Sequence, residues 1–227
     1  DVTHIAFINK KTPETSSWTY AHELGRLYLK DAFHGRVRTK AYDNISDTED
    51  AVAAIEQAIA DGNEMIFTTS PEFLSASLRV AVNHPEIKIL NCSLNASHKY
   101  IRTYYGRMYE AKFLIGVLAG VMTDTNKIGY IADYPIFGMT ANINAFALGV
   151  KMVNPKAKIY LEWSTLKENE HIDLTAKLYS LGATYISHQD MIIPRKISRQ
   201  FGLFRVNGET PVNLAFPAWN WGKYYER

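Results

Sequence analysis

Short apolar runs alternate along this chain with longer stretches in which apolar residues recur every three or four positions. The short runs predict strands at 3–9, 37–42, 65–68, 87–91, 127–132, 159–163, 184–187 and 201–206. Between them, helical spacing predicts helices at 18–32, after Ser46, after Ser70-Pro71 and at 171–181. Ser46 and Glu49 stand at capping-box spacing, and the helix they open carries Val52, Ile55 and Ile59 on one face before ending at Gly62. Pro71 suits the first position of the next helix.

The segment 106–155 is the most informative. Tyr109, Phe113, Leu114, Val117, Leu118 and Val121 recur at helical spacing and lead into the apolar strand at 127–132. A loop with Pro135 and Gly138 follows, then a second amphipathic run ending at Asn154-Pro155. Strands alternating with helices of this length indicate an α/β fold with parallel sheets flanked by helices. In such sheets the loops at the strand carboxyl ends hold ligands, so the loop 133–140 is expected to carry function. A lobe boundary is placed at the polar turn 123–126, giving a first lobe at 1–124 and a second at 125–211. Residues 212–227 are expected to return to the first lobe and begin a helix there, with the natural protein continuing past Arg227.

At 227 residues, 47% of them hydrophobic, the chain can bury a core in one large domain or two smaller ones. A net charge of +2 without any Lys/Arg cluster argues against a nucleic-acid partner. Cys92 is the single cysteine, so no intrachain disulfide exists; its place at a strand end suits a small apolar residue. No run is long enough to span a membrane, and no signal peptide opens the chain. The nucleotide-binding patterns GxGxxG and GxxxxGK[ST] are absent, as are GxSxG, HExxH and the EF-hand loop, so no cofactor and no metal is expected.

What remains are aromatic and hydroxyl residues at strand ends. Ser17 and Trp18 follow the first strand, Ser70 and Phe73 the third. Tyr134 and Phe137 flank Pro135, and Trp163 ends a later strand. Each aromatic suits either the core or a stacking wall over a flat ligand. His188, Gln189 and Asp190 follow the strand at 184–187. A metal site lacks further ligands there and a catalytic His-Asp pair lacks a nucleophile. Hydrogen bonding to a ligand fits that turn better, with a structural turn as the other reading.

The stretches GRMYEAKFLIGVLAGVMTDTNKIGYIADYPI, INAFALGVKMVNPKAKIYLEW, GATYISHQD and WNWGKYY, in this order, resemble the basic membrane protein family. These are solute-binding proteins of bacterial ABC importers, and the resemblance runs from about Ile5 to Tyr225. It implies a type I periplasmic-binding fold, two-lobed, with no catalysis. It also implies a purine base or nucleoside held between the lobes, an ABC permease as partner, and an extracytoplasmic location, either periplasmic or as a surface lipoprotein. Membrane attachment would come only through an anchor outside this sequence. The same fold serving as the sensing domain of a membrane-anchored signalling protein is the alternative. The resemblance supports His188, Gln189 and Asp190 as ligand contacts, and it puts the aromatic of the first strand loop at Trp18. Trp219, in the WNWGKYY stretch, joins the expected contacts. The chain departs from the family pattern at Thr19, where Asn is usual, and at Leu166-Lys167, where a second Trp is usual.

Overall fold

The structure is a computed structural model, and it describes residues 1–133, 137–188, 200–208, 210–218 and 220–227, the side chain of Phe137 excepted. By its contacts the chain divides into two compact units. One comprises Asp1–Gly106 with Asn220–Arg227; the other is built from the described residues of 107–218. The division falls at Gly106, ahead of the polar turn at 123–126, because the helix between these points packs into the second unit.

The first unit contains five parallel strands: β1 (Thr3–Ile8), β2 (Val37–Tyr42), β3 (Met65–Thr68), β4 (Lys88–Cys92) and β5 (Ile101–Tyr104). Their order across the sheet is β2-β1-β3-β4-β5. Strand alternation sends Ala6, Ile8, Ile66 and Ile89 into a core with Ile55 of α2 (Thr48–Ala60) and Val80 of α3 (Leu74–Asn83). The opposite alternation sends Phe7 and Phe67, stacked at 5.1 Å, toward Tyr225 of α7 (Trp221–Glu226). Helix α7 lies close on α1 (Ser17–Ala32) because Gly25 and Gly222 carry no side chain. A Cβ on Gly25 would stand 2.8 Å from the Tyr225 ring, and one on Gly222 would stand 2.5 Å from that of Tyr28.

Two local expectations are corrected here. Asp47, not Ser46, caps α2: its carboxylate accepts the Asp50 amide at 2.8 Å, while the Ser46 hydroxyl donates to the Asp50 carboxylate. A carboxylate is the better acceptor beside a helix N-terminus. After Ser70 the chain makes a 3-10 turn, Pro71–Phe73, before α3 begins.

The second unit orders its sheet β10-β9-β8-β6-β7. Strands β6 (Lys127–Ala132), β7 (Lys158–Trp163) and β8 (Tyr185–Ser187) are parallel. Strands β9 (Leu203–Arg205) and β10 (Val212–Ala215) run antiparallel. Residues 212–215 therefore extend this second sheet before the chain reaches α7, where a direct return was expected. Helices α4 (Met108–Met122) and α5 (Phe137–Val153) cover one face, around Tyr130, Phe146 and Val150. The other face packs Ile186 and Phe204 against Leu174 and Leu178 of α6 (Leu174–Ser180).

The two covering helices meet at glycines. A Cβ at Gly116 would collide with the Phe146 carbonyl, and one at Gly149 with the Phe113 carbonyl. Gly120 faces Val150 and Val153 in the same way. The helical run read from Leu114, Leu118 and Val121 is therefore turned away from the core, which takes Ile115, Gly116, Ala119 and Gly120 instead. Backbone-to-backbone approach needs the small residues on the inner face.

Replacing Gly149 by Val should lower stability by about 1–3 kcal/mol or more, the usual range for overpacking. A urea midpoint unchanged from the wild type would show that the seam tolerates a side chain.

Candidate functional site

Where parallel strands stop, backbone groups lose their ladder partners and polar side chains take over. In the first unit Asn9 follows β1 and is buried. Its amide donates to Asp43 Oδ1 at 2.9 Å, and its Oδ1 accepts from Thr69 Oγ1 at 2.8 Å. The carbonyl of Thr69 accepts the indole N–H of Trp18 at 2.8 Å. Asn91 Nδ2 donates to Thr68 Oγ1 and to the Ser70 carbonyl, each at 2.9 Å. The carboxyl ends of β1, β2, β3 and β4 are thereby tied into one polar cluster. Two of its buried atoms, Asn91 Oδ1 and Ser93 Oγ, have no hydrogen-bond partner among the described residues.

Behind that cluster lies an aromatic one. His22 stacks on Trp221 at 4.5 Å and shares a hydrogen bond with the Tyr225 hydroxyl. Trp18 meets both His22 and Trp221 edge-on. Burial lowers the His22 pKa from 6.5 to about 3 and pushes the Cys92 thiol up. Cys92 Sγ stands 4.0 Å from His22 Nε2. Both are neutral at neutral pH, so they do not form a thiolate–imidazolium pair.

The second unit carries its own strand-end cluster. Asp133 follows β6; its Oδ1 accepts from Ser164 Oγ at 2.7 Å, and its carbonyl accepts from Thr165 Oγ1. Lys112 reaches from α4, almost wholly buried, to donate to Ser187 Oγ at 2.9 Å and to the His188 carbonyl at 3.3 Å. The His188 ring lies nearby with Nε2 3.7 Å from Asp133 Oδ1, beyond hydrogen-bond reach. Both ring nitrogens are shielded from solvent and have no hydrogen-bond partner among the described residues. Among the described residues no group of three or more His, Cys, Asp or Glu side chains is placed to hold a metal ion.

The residues named from sequence fare differently. Ser17 is the first residue of α1, but the cap is Ser16, whose hydroxyl accepts the Thr19 amide. Trp18 is half-buried at the edge of the polar cluster. Ser70 caps the 3-10 turn, accepting the Glu72 amide at 3.4 Å. Phe73 is buried, only 1% exposed, in the core cluster with Ile55, Ala76 and Val80. Trp163 ends β7 and leans on the core under α4 and α5. Tyr134, Gln189, Asp190 and Trp219, with the side chain of Phe137, lie outside the described residues. The sequence reading did not single out Asn9, Thr69, Asn91, Ser93, Lys112 or Ser164 as site residues. Asn9 and Asn91 end predicted strands, Thr69, Ser93 and Ser164 stand just past them, and that position was the available signal.

Residues 2–194 match the family described as PnrA-like substrate-binding proteins of ABC transporters. The chain belongs to this family. Among relatives of the PnrA-like family, a purine-binding protein of Brucella abortus is 27% identical over 232 residues, 97% of this chain. Two solved structures share the fold over 82% of the chain: an ABC transporter solute-binding protein from Conexibacter woesei (TM-score 0.67, 17% identity) and a transcriptional activator of the comK gene from Bacillus halodurans (TM-score 0.69, 15% identity). This chain spans 66% of the Brucella protein's length and 63% of each of those two structures. The PnrA-like assignment agrees with the type I periplasmic-binding fold implied by the sequence motifs, and it describes substrate binding rather than catalysis.

The buried neutral His22 makes a pH prediction for this PnrA-like chain. The unfolded chain takes up a proton near pH 6.5, the folded one not until about 3. Its contribution is therefore fully present above that window and is lost as pH falls through it. Lowering the pH from about 7 to about 4 should reduce the urea midpoint, and His22→Gln should flatten part of that decline. Identical slopes for the two proteins would remove His22 as a cause.

Proposed function

We propose that this chain is the substrate-binding component of an ABC importer, working outside the cytoplasm, and that its solute is a purine base or nucleoside. The observation that carries the reading is the set of unpartnered buried polar atoms at strand carboxyl ends: Asn91 Oδ1, Ser93 Oγ and both ring nitrogens of His188. Buried polar groups are nearly always hydrogen-bonded, so such orphans call for a partner. A purine edge offers alternating donors and acceptors, which an amide oxygen and a hydroxyl match in the first unit by itself, as an imidazole does in the second. The half-buried indole of Trp18, fixed in orientation by its bond to the Thr69 carbonyl, offers an aromatic surface for stacking. The ligand named for the Brucella relative points the same way. Gln189, Asp190, Tyr134, Phe137 and Trp219 remain proposed contacts on the family resemblance, and an ABC permease is the proposed partner. The family is described by substrate binding, so Asp133 and His188 are read as binding groups rather than catalytic ones.

Calorimetric titration with purine bases and nucleosides tests this. A bound purine at one hundred times its dissociation constant should stabilise the protein by about 2.7 kcal/mol. Ser93→Ala and His188→Ala should each weaken binding roughly tenfold, equivalent to about 1.4 kcal/mol, while leaving the unfolding midpoint near the wild-type value. Binding of another solute class, with purines inert, would refute the ligand. Purine binding indifferent to both substitutions would refute the site.

A further inference from the structure

The glycine seam leaves the bulky residues of α4 and α5 with nothing to cover them. Leu114, Leu118, Val121, Leu148, Met152 and Val153 are each between 38% and 69% exposed. They are not scattered. Leu114, Leu118 and Val121 share the solvent side of α4, and Leu148 and Met152 lie along the solvent side of α5, next to the Gly116–Phe146 and Gly149–Phe113 contacts that hold the helices together. A surface helix ordinarily turns its large apolar residues inward and its charges outward. Here α4 reverses that order, burying Lys112, Gly116 and Gly120 and exposing leucine and valine.

We propose that the outer face of α4 and α5 is a self-association surface, joining two copies of this chain about a two-fold axis. The area supports this occupant. These six side chains present roughly 600 Å² of apolar surface, at the top of the range for the largest patch on a monomer. With the flanking Met122 and half-buried Val117, the face approaches the ~800 Å² per partner of a stable interface. Its chemistry supports a copy rather than a charged partner. Between Ala111 and Met122 the only ionisable side chain is Lys112, which is buried and turned inward to Ser187. When the face meets its own image, no like charges from that stretch of α4 are brought together, as an isologous contact requires. The nearest exposed charges are Lys151, beside Met152 on α5, and Glu110, which is paired with Arg107 at 3.1 Å at the start of α4.

Sedimentation and light scattering across a concentration series test the proposal. The wild-type chain should approach twice its 25.8 kDa mass as concentration rises. Val121→Glu combined with Leu148→Glu, both at exposed positions, should weaken association at least a hundredfold with the far-ultraviolet spectrum unchanged. A wild-type chain that stays monomeric throughout overturns the proposal, whether or not it binds lipid vesicles or another protein. So does a dimer that forms equally well with a correctly folded double variant. The wild-type series decides alone if the variant fails to fold.

Discussion

Each polar cluster exists because parallel strands end. A ladder that stops leaves amides and carbonyls facing inward with no strand to bond, and the chain meets the deficit with short polar side chains at the first residues beyond each strand. Asn9 bridges Asp43 and Thr69; Asn91 bridges Thr68 and the Ser70 carbonyl. In the second unit Asp133, Ser164 and Lys112 do the same at β6, β7 and β8. Among the described residues, the bonds that close the sheet ends leave a few buried polar atoms over.

The groups present also separate binding from catalysis. Cys92 and His22, 4.0 Å apart, are kept neutral by the aromatic residues around them. Burial raises the thiol and lowers the imidazole, which is the reverse of what an activated nucleophile needs. Their surroundings of Trp221, Tyr225 and Trp18 are those of a packed joint.

Periodicity revealed the α/β class, most of the strands and the segment order, because alternating burial leaves a direct trace in the pattern of apolar residues. It missed β5, a four-residue edge strand with an Arg and a Thr in it. It also could not say which side of α4 faced inward. Leu114 and Val121 look like core residues until Gly116 and Gly149 are seen to bring two backbones together, and that contact depends on a partner thirty residues away. The site was legible in location more than in membership. Strand-end positions pointed to the loops where the polar clusters lie, while attention to large aromatics favoured Phe73, which is buried in the core, over Asn9, Asn91 and Ser93. Small polar residues leave little trace in a hydropathy pattern, and their roles emerge only when neighbouring strands are aligned.

The docking of α7 on α1 has a consequence for the order in which the protein is made. His22 and its partner Tyr225 are 203 positions apart. At ribosomal speeds the helix that seals α1 emerges roughly ten to forty seconds after the groove it fills. Throughout that interval the nascent first unit carries Phe7, Phe67 and His22 without their lid, a window in which a chaperone or a neighbouring chain has access to them. Helix α7 therefore acts as a latch on a unit whose sheet was translated long before.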